Sequence, residues 1–139
     1  MVREPLIIMA CAPDAGAPGD VRQNTEAVLR RVAQAKARGA QLLVLPELCL
    51  SGSGLGSLYL HQTLAEACAG AALSIAAACG QMRCVFGLPL LHDGRANSAL
   101  ALAQGGEITR FVLKRGLKDD QKAVFSPGYR GTIGFGGQR

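Results

Sequence analysis

The chain has 139 residues, with 15 Lys plus Arg, 10 Asp plus Glu, 49% hydrophobic residues and 4% aromatic ones. That length suits one domain, and the apolar content excludes an intrinsically disordered chain. The net charge of +5 lies at one end: residues 1–109 carry 8 basic and 8 acidic side chains, whereas Arg110, Lys114, Arg115, Lys118, Lys122, Arg130 and Arg139 face only Asp119 and Asp120. A basic segment attracts anions or nucleic acid. Aromatic platforms and nucleic-acid modules are missing, which argues against a nucleic-acid partner and for a solvated basic loop. No apolar run of about eighteen residues stands out as a membrane span. Glu4 and Pro5 interrupt the place where a secretory leader needs apolar continuity. Five cysteines without a C-x-x-C pair do not make a disulfide scaffold, and Cys68 and Cys79 stand in Ala-rich sequence, where thiols act as small buried groups. These features predict a cytoplasmic protein.

The elements follow in order. Residues 5–12 are a short apolar run closed by Pro13, Asp14, Gly16, Pro18 and Gly19, which predicts a buried strand and a loop. Asp20 is a candidate cap for a helix over 21–38, where Val21, Ala27, Val28, Val32 and Ala35 form one apolar stripe and Gly39 is the stop. Leu42–Leu45 lacks polar alternation and predicts a strand buried on both faces. Residues 48–58 predict a Gly- and Ser-rich loop, and 61–78 a second helix ending at Gly80. Strands are expected over 84–88, 98–103 and 107–113, the last two joined by a turn at Gln104-Gly105-Gly106. Helices between the early strands imply parallel pairing, and short turns later imply antiparallel pairing. The fold class is therefore α/β, with a mixed sheet and both helices on one face. The other face stays apolar and calls for cover by a partner or a further half.

Two residues carry candidate chemistry. Glu47 follows a strand directly, at the end where α/β sheets bind ligands. Burial there raises a carboxyl pKa toward the range of a general base. Lys114 ends the apolar strand Phe111-Val112-Leu113 and can stabilise an oxyanion. Elsewhere the signals are thin. Gly52-Ser53-Gly54-Leu55-Gly56 lacks the spacing of a phosphate loop. His61 and His92 do not make a metal site.

The order of short motifs resembles the nitrilase (carbon–nitrogen hydrolase) superfamily, and within it the N-terminal glutaminase domains of glutamine-dependent NAD synthetases. The residues concerned are Ala37-Arg-Gly-Ala-Gln-Leu-Leu-Val-Leu-Pro-Glu-Leu-Cys-Leu-Ser-Gly52, Ser57-Leu58-Tyr59-Leu60, Val85-Phe-Gly-Leu-Pro-Leu90, Asn97-Ser-Ala, Gly106-Glu-Ile, Lys114-Arg-Gly-Leu117 and Phe125-Ser-Pro-Gly128. The resemblance implies the first half of an αββα sandwich, so that 1–139 is a partial domain. It also implies a Glu–Lys–Cys set in which Glu47 is the base, Lys114 steadies the tetrahedral intermediate and a thiolate attacks the amide. In the family that cysteine follows the F-x-P-G motif. The five cysteines here stand elsewhere, so the chain alone is expected to be inactive.

Three departures accompany the likeness. Ser53 replaces an aromatic, Lys118 replaces a proline, and Asp120-Gln121-Lys122 is a remnant of a longer Y-x-x-F-D-E-like segment. The implied substrate is a small amide such as glutamine, whose ammonia would supply NAD synthesis. The alternatives are an amidase for another amide and a non-catalytic assembly module. No cofactor is expected in this domain, ATP and Mg belonging only to a missing synthetase domain. A homo-oligomer is expected, and no membrane.

Overall fold

A computed structural model describes residues 4–13 and 16–128, together with the backbone of 132–133. Asp14, Arg130 and Arg139, named above, lie outside the described residues. The elements are β1 (Ile8–Ala10), α1 (Val21–Ala37), β2 (Leu42–Val44), a 3-10 turn (Gly56–Leu60), α2 (Gln62–Cys79), β3 (Arg83–His92), β4 (Arg95–Gln104), β5 (Glu107–Leu113), α3 (Asp119–Lys122) and β6 (Thr132–Ile133). They form one sheet in chain order, β1 to β6. The β1–β2 and β2–β3 pairs are parallel and the remaining pairs antiparallel.

The first helix forms as its stripe predicts. Asp20 accepts a hydrogen bond from the Gln23 N–H, and Val21, Ala27, Val28, Val32 and Ala35 are buried. The cap supplies one of the acceptors that helix N-termini lack. The second helix begins one residue later than expected and ends at Gly80, whose φ is 56°. It is long and apolar enough to cross a membrane, by length and composition only, which corrects the sequence reading that no such run exists. Here Cys68, Ala72, Ile75, Ala76 and Cys79 pack it into the core.

Both helices cover one face of the sheet. Register places Leu43, Cys84, Phe86, Leu88, Ala101, Ala103, Ile108 and Phe111 on that face, in one core with Val28, Val32, Ala72 and Ile75. On the opposite face Leu42, Val44, Val85, Leu100 and Leu102 are only half-buried, and Val112 and Ile8 are exposed. β2 is thus buried on one face, not two: side chains alternate along a strand, and helices cover only one side.

β3 and β4 are each ten residues long, well beyond the apolar windows expected from sequence. Their hairpin turns at Asp93-Gly94, where both residues have positive φ, the geometry of a tight two-residue turn. Pro89 sits inside β3 opposite Ser98. Backbone groups of Val85 and Gly87 point toward the β2 side, where Leu45, Pro46 and Leu50 meet them. By alternation the missing N–H of Pro89 points the same way, beyond the end of β2, so no ladder bond is lost.

Candidate functional site

The site is built where three chain segments meet at the end of β2. The first is the turn Pro46-Glu47-Leu48. It lies directly on β3: the Gly87 N–H donates to Pro46 O at 3.2 Å and the Leu50 N–H to Gly87 O at 3.3 Å. Leu48 adopts a positive φ of 53° and is buried, a conformation a non-glycine residue holds only when its surroundings enforce it. Leu48, Tyr59, Ala96 and Phe125 form a small second core beneath the turn, with the Tyr59 and Phe125 rings 4.6 Å apart.

The second segment is the end of β5 with the F-x-P-G stretch. The Lys114 N–H donates to Ser98 O and the Gly128 N–H to Lys114 O, each at 2.8 Å. The Asn97 side chain donates to Ser126 O at 3.0 Å. A Cβ on Gly128 would stand 2.6 Å from Leu113 Cβ, so only glycine lets this stretch lie against the strand that delivers Lys114. The third segment is α3, which carries Gln121.

Glu47 and Lys114, distant in sequence, are brought together. Lys114 Nζ donates to Glu47 Oε2 at 2.8 Å and to Oε1 at 3.0 Å. Glu47 Oε1 also accepts from the Ser98 hydroxyl at 2.7 Å and from Gln121 Nε2 at 3.0 Å. The Lys114 and Glu47 side chains are 27% and 38% exposed, so the acid is not buried as its strand-end position suggests. Burial still pushes its carboxyl up, but hydrogen bonds from Lys114, Ser98 and Gln121, with the lysine charge, outweigh that and hold it below its ordinary value. The expectation of a raised pKa is thereby reversed. Beside the pair opens a cavity of about 190 Å³ lined by Glu47, Ser98, Ala99, Leu100, Val112, Leu113 and Lys114. It lies on the sheet face that the helices leave uncovered.

Ser98 and Gln121 were missed as site residues. The signal for Ser98 was a lone hydroxyl among Ala96, Ala99, Ala101 and Ala103, since a buried hydroxyl needs a partner. Gln121 gave no local signal beyond its place in the motif remnant.

None of the residues lining the cavity is a cysteine. Cys68, Cys79 and Cys84 are buried in the helix-side core. Cys49, two residues beyond Glu47, donates instead to Gly87 O at 3.4 Å, and burial pushes its thiol up to about 11. It is protonated and turned into β3. Among the described residues no group of three or more His, Cys, Asp or Glu side chains is placed to hold a metal ion.

Comparison with known proteins adds to this geometry. Among solved structures, a glutamine-dependent NAD(+) synthetase from Cytophaga hutchinsonii is 27% identical with a TM-score of 0.85, the match covering 90% of this chain and 22% of that one. An amidase from Nesterenkonia sp. is 27% identical with a TM-score of 0.79, covering 93% of this chain and 51% of that one. A mutant of that amidase shows covalent addition of the acetamide moiety of fluoroacetamide at its active site cysteine, and its structure matches at 26% identity and a TM-score of 0.78, covering 90% of this chain and 49% of that one. The chain therefore spans about a fifth of the synthetase and about half of the amidase. None of the curated proteins compared matches it. A family model matches residues 9–131, and the chain belongs to the carbon-nitrogen hydrolase family.

Proposed function

We propose that this chain supplies the general base and the oxyanion-stabilising cation of a glutamine-hydrolysing site that feeds ammonia to NAD synthesis. The observation that carries the reading is Lys114 Nζ straddling both oxygens of Glu47 at the rim of an open cavity. The likeness to a glutamine-dependent NAD(+) synthetase supports the choice of substrate.

In this reading a thiol supplied by a segment beyond these residues attacks the side-chain amide carbon. Glu47 takes the thiol proton as the S–C bond forms, and Lys114 holds the oxyanion. The C–N bond breaks and ammonia leaves with that proton. Water then gives a proton to Glu47 and attacks the thioester, releasing glutamate and the thiol. The lowered pKa keeps Glu47 ionised near neutral pH, ready to accept a proton, at some loss of basicity.

The 139-residue chain alone is expected to release no ammonia from glutamine. A chimera joining it to the C-terminal half of the Nesterenkonia amidase should hydrolyse amides and lose about 10²–10³-fold in rate on K114M, with E47Q at least as severe. Hydrolysis by the chain alone would remove the call for an outside thiol, and a chimera indifferent to E47Q would remove the base.

A second reading is a non-catalytic assembly module. The observation favouring it is the cavity without a cysteine. The half-covered apolar sheet face suits self-association in either case, and a size in solution that rises with concentration would support it.

A further inference from the structure

Two cysteines that the amide chemistry does not use meet at the junction of α2 and β3. Cys79 is the last residue of α2 and Cys84 the second of β3. Cys68, Ala72, Ile75 and Cys79 recur at helical spacing and are buried, so Cys79 is the last core-facing residue of the helix. Cys84, beside Leu43 of β2, is the first residue of β3 to enter the same core. The turn between them is short and fixed. Gly80 has a φ of 56°, the Met82 N–H donates to Cys79 O at 3.1 Å and the Gly106 N–H to Gly80 O at 3.0 Å. This reversal closes one thiol onto the other, and the two side chains are hydrogen-bonded. Both are free thiols, 0% and 1% exposed.

Two further features set Cys79 apart. Lys36 of α1 donates to Ala78 O at 3.0 Å, which holds its ammonium beside the end of α2. The hydrogen bond from Cys84, with the Lys36 charge, outweighs burial and holds the Cys79 thiol below its ordinary value. The same hydrogen bond, with burial, pushes Cys84 up. A cleft of about 480 Å³ also lies over this corner, with Cys79, Lys36, Gln81, Met82 and Arg83 in its wall. Lys36, Gln81 and Arg83 are exposed there, and side chains of that kind change rotamer in picoseconds to nanoseconds. An oxidant little larger than water can thus come to the pair, whereas a bulky reagent meets a closed core.

We propose that Cys79 and Cys84 are a dithiol site that a hydroperoxide oxidises to an intrachain disulfide, Cys79 attacking and Cys84 resolving. The Cys79 thiolate attacks one peroxide oxygen. An S–O bond forms, the O–O bond breaks, and the departing oxygen leaves as water or alcohol with the proton that Cys79 gave up. Cys84 then attacks the Cys79 sulfur. The S–S bond forms, the S–O bond breaks, and water leaves with the Cys84 proton. Two thiols are oxidised by two electrons and the peroxide is reduced by two. The bridge would tie the end of α2 to β3, the strand on which the Pro46–Leu48 turn rests. None of this uses the reading of Glu47 as a base.

The probe is hydrogen peroxide, added to the fully reduced chain under native conditions. After an acid quench, remaining thiols are blocked in denaturant and the protein is digested with trypsin without reduction. Cleavage at Arg83 separates the pair, Cys79 in 39–83 and Cys84 in 84–95. The expected product is these two peptides joined, with a hydrogen lost from each sulfur, and parted again by a phosphine. Cys49 and Cys68 share the first peptide, so the joint should persist in C49S and C68S and vanish in C79S. In C84S, peroxide should leave Cys79 as a sulfenic acid that dimedone captures once denaturant opens the core. K36M should slow joining about threefold or more.

Peptides that stay separate, or that remain joined in C79S, overturn the dithiol. Sulfinic acid at Cys79 as the main product of the unmodified chain does so equally. Dimedone missing from Cys79 in C84S overturns the order of attack, and an unchanged rate in K36M removes the lysine from it. If C79S does not fold, fragmentation of the joined peptides decides, and a bridge placed on Cys49 or Cys68 overturns the proposal.

Discussion

A Cβ added to Gly87 would stand 2.6 Å from Glu47 Cα, and equally close to Pro46 O. The middle of β3 thus serves as the floor on which the Pro46–Leu48 turn rests, and Glu47 can reach Lys114 only because that floor carries no side chain. Substituting Gly87→Ala must push the turn outward or bend the strand. We expect a loss of about 1–3 kcal/mol from overpacking, together with a rise in the Glu47 carboxyl pKa as its donors are left behind. Denaturant melts and carboxyl NMR check the two effects, and a stable variant with an unmoved carboxyl would contradict this account.

Removing the cation should act on the same carboxyl. Lys114→Met deletes two hydrogen bonds and the neighbouring positive charge, the contributions that hold Glu47 low beside those of Ser98 and Gln121. With burial then less opposed, the midpoint should rise above that of the unmodified chain. The measurement is a carboxyl NMR titration of both proteins, and an unmoved midpoint would mean that the lysine does not hold the carboxylate in solution.

The lowered Glu47 pKa also makes stability depend on acid. A carboxyl whose folded pKa lies below its unfolded one contributes stability above the unfolded value and loses it as pH falls through the folded one. Urea midpoints measured on the chain and on E47Q should therefore differ at neutral pH. The difference should shrink from about pH 4.5 downward. A difference independent of pH would show that the pair adds nothing to folding.

The core thiols should resist alkylation. Burial pushes Cys49 up to about 11 and Cys68 up to about 12, and a protonated, buried thiol is a poor nucleophile. Iodoacetamide at pH 8 should leave both unlabelled until denaturant is added, as peptide mass spectrometry would read. Rapid labelling of Cys49 in the folded chain would reopen its candidacy as the missing nucleophile.

Asp20→Ala should cost about 1 kcal/mol by removing the cap of α1, because the Gln23 N–H it satisfies has no helical partner. Asp20→Asn should be close to neutral. Thermal melts of the two variants give the comparison.

Much of this architecture was legible along the chain. The α1 stripe, its Asp20 cap, the Gly80 stop and the span of β5 all follow from local rules, since a helix buries one face at fixed spacing and ends where a backbone group lacks a partner. The mixed order of parallel and antiparallel strands follows from connection lengths. The extent of β3 and β4 did not. The strand expected over 84–88 stops short of Pro89, and only the end of β2 beside it shows why the ladder tolerates that residue. Ser98 and Gln121 escaped for a related reason, because their partner lies 51 and 74 residues away in the chain.

The sequence by itself determined an α/β fold with a strand-end acid, a strand-end lysine and one apolar sheet face left over. Those properties depend on spacing, turn residues and hydrophobic period, which act over a few residues. The tertiary structure alone decided that the acid is partly exposed, held by Lys114, Ser98 and Gln121, and ionised more readily than an ordinary glutamate. A carboxyl pKa is the balance of desolvation against every donor that packing brings to it. Three of those donors arrive from β4, β5 and α3, so the balance exists only once the sheet has closed around the Pro46–Leu48 turn.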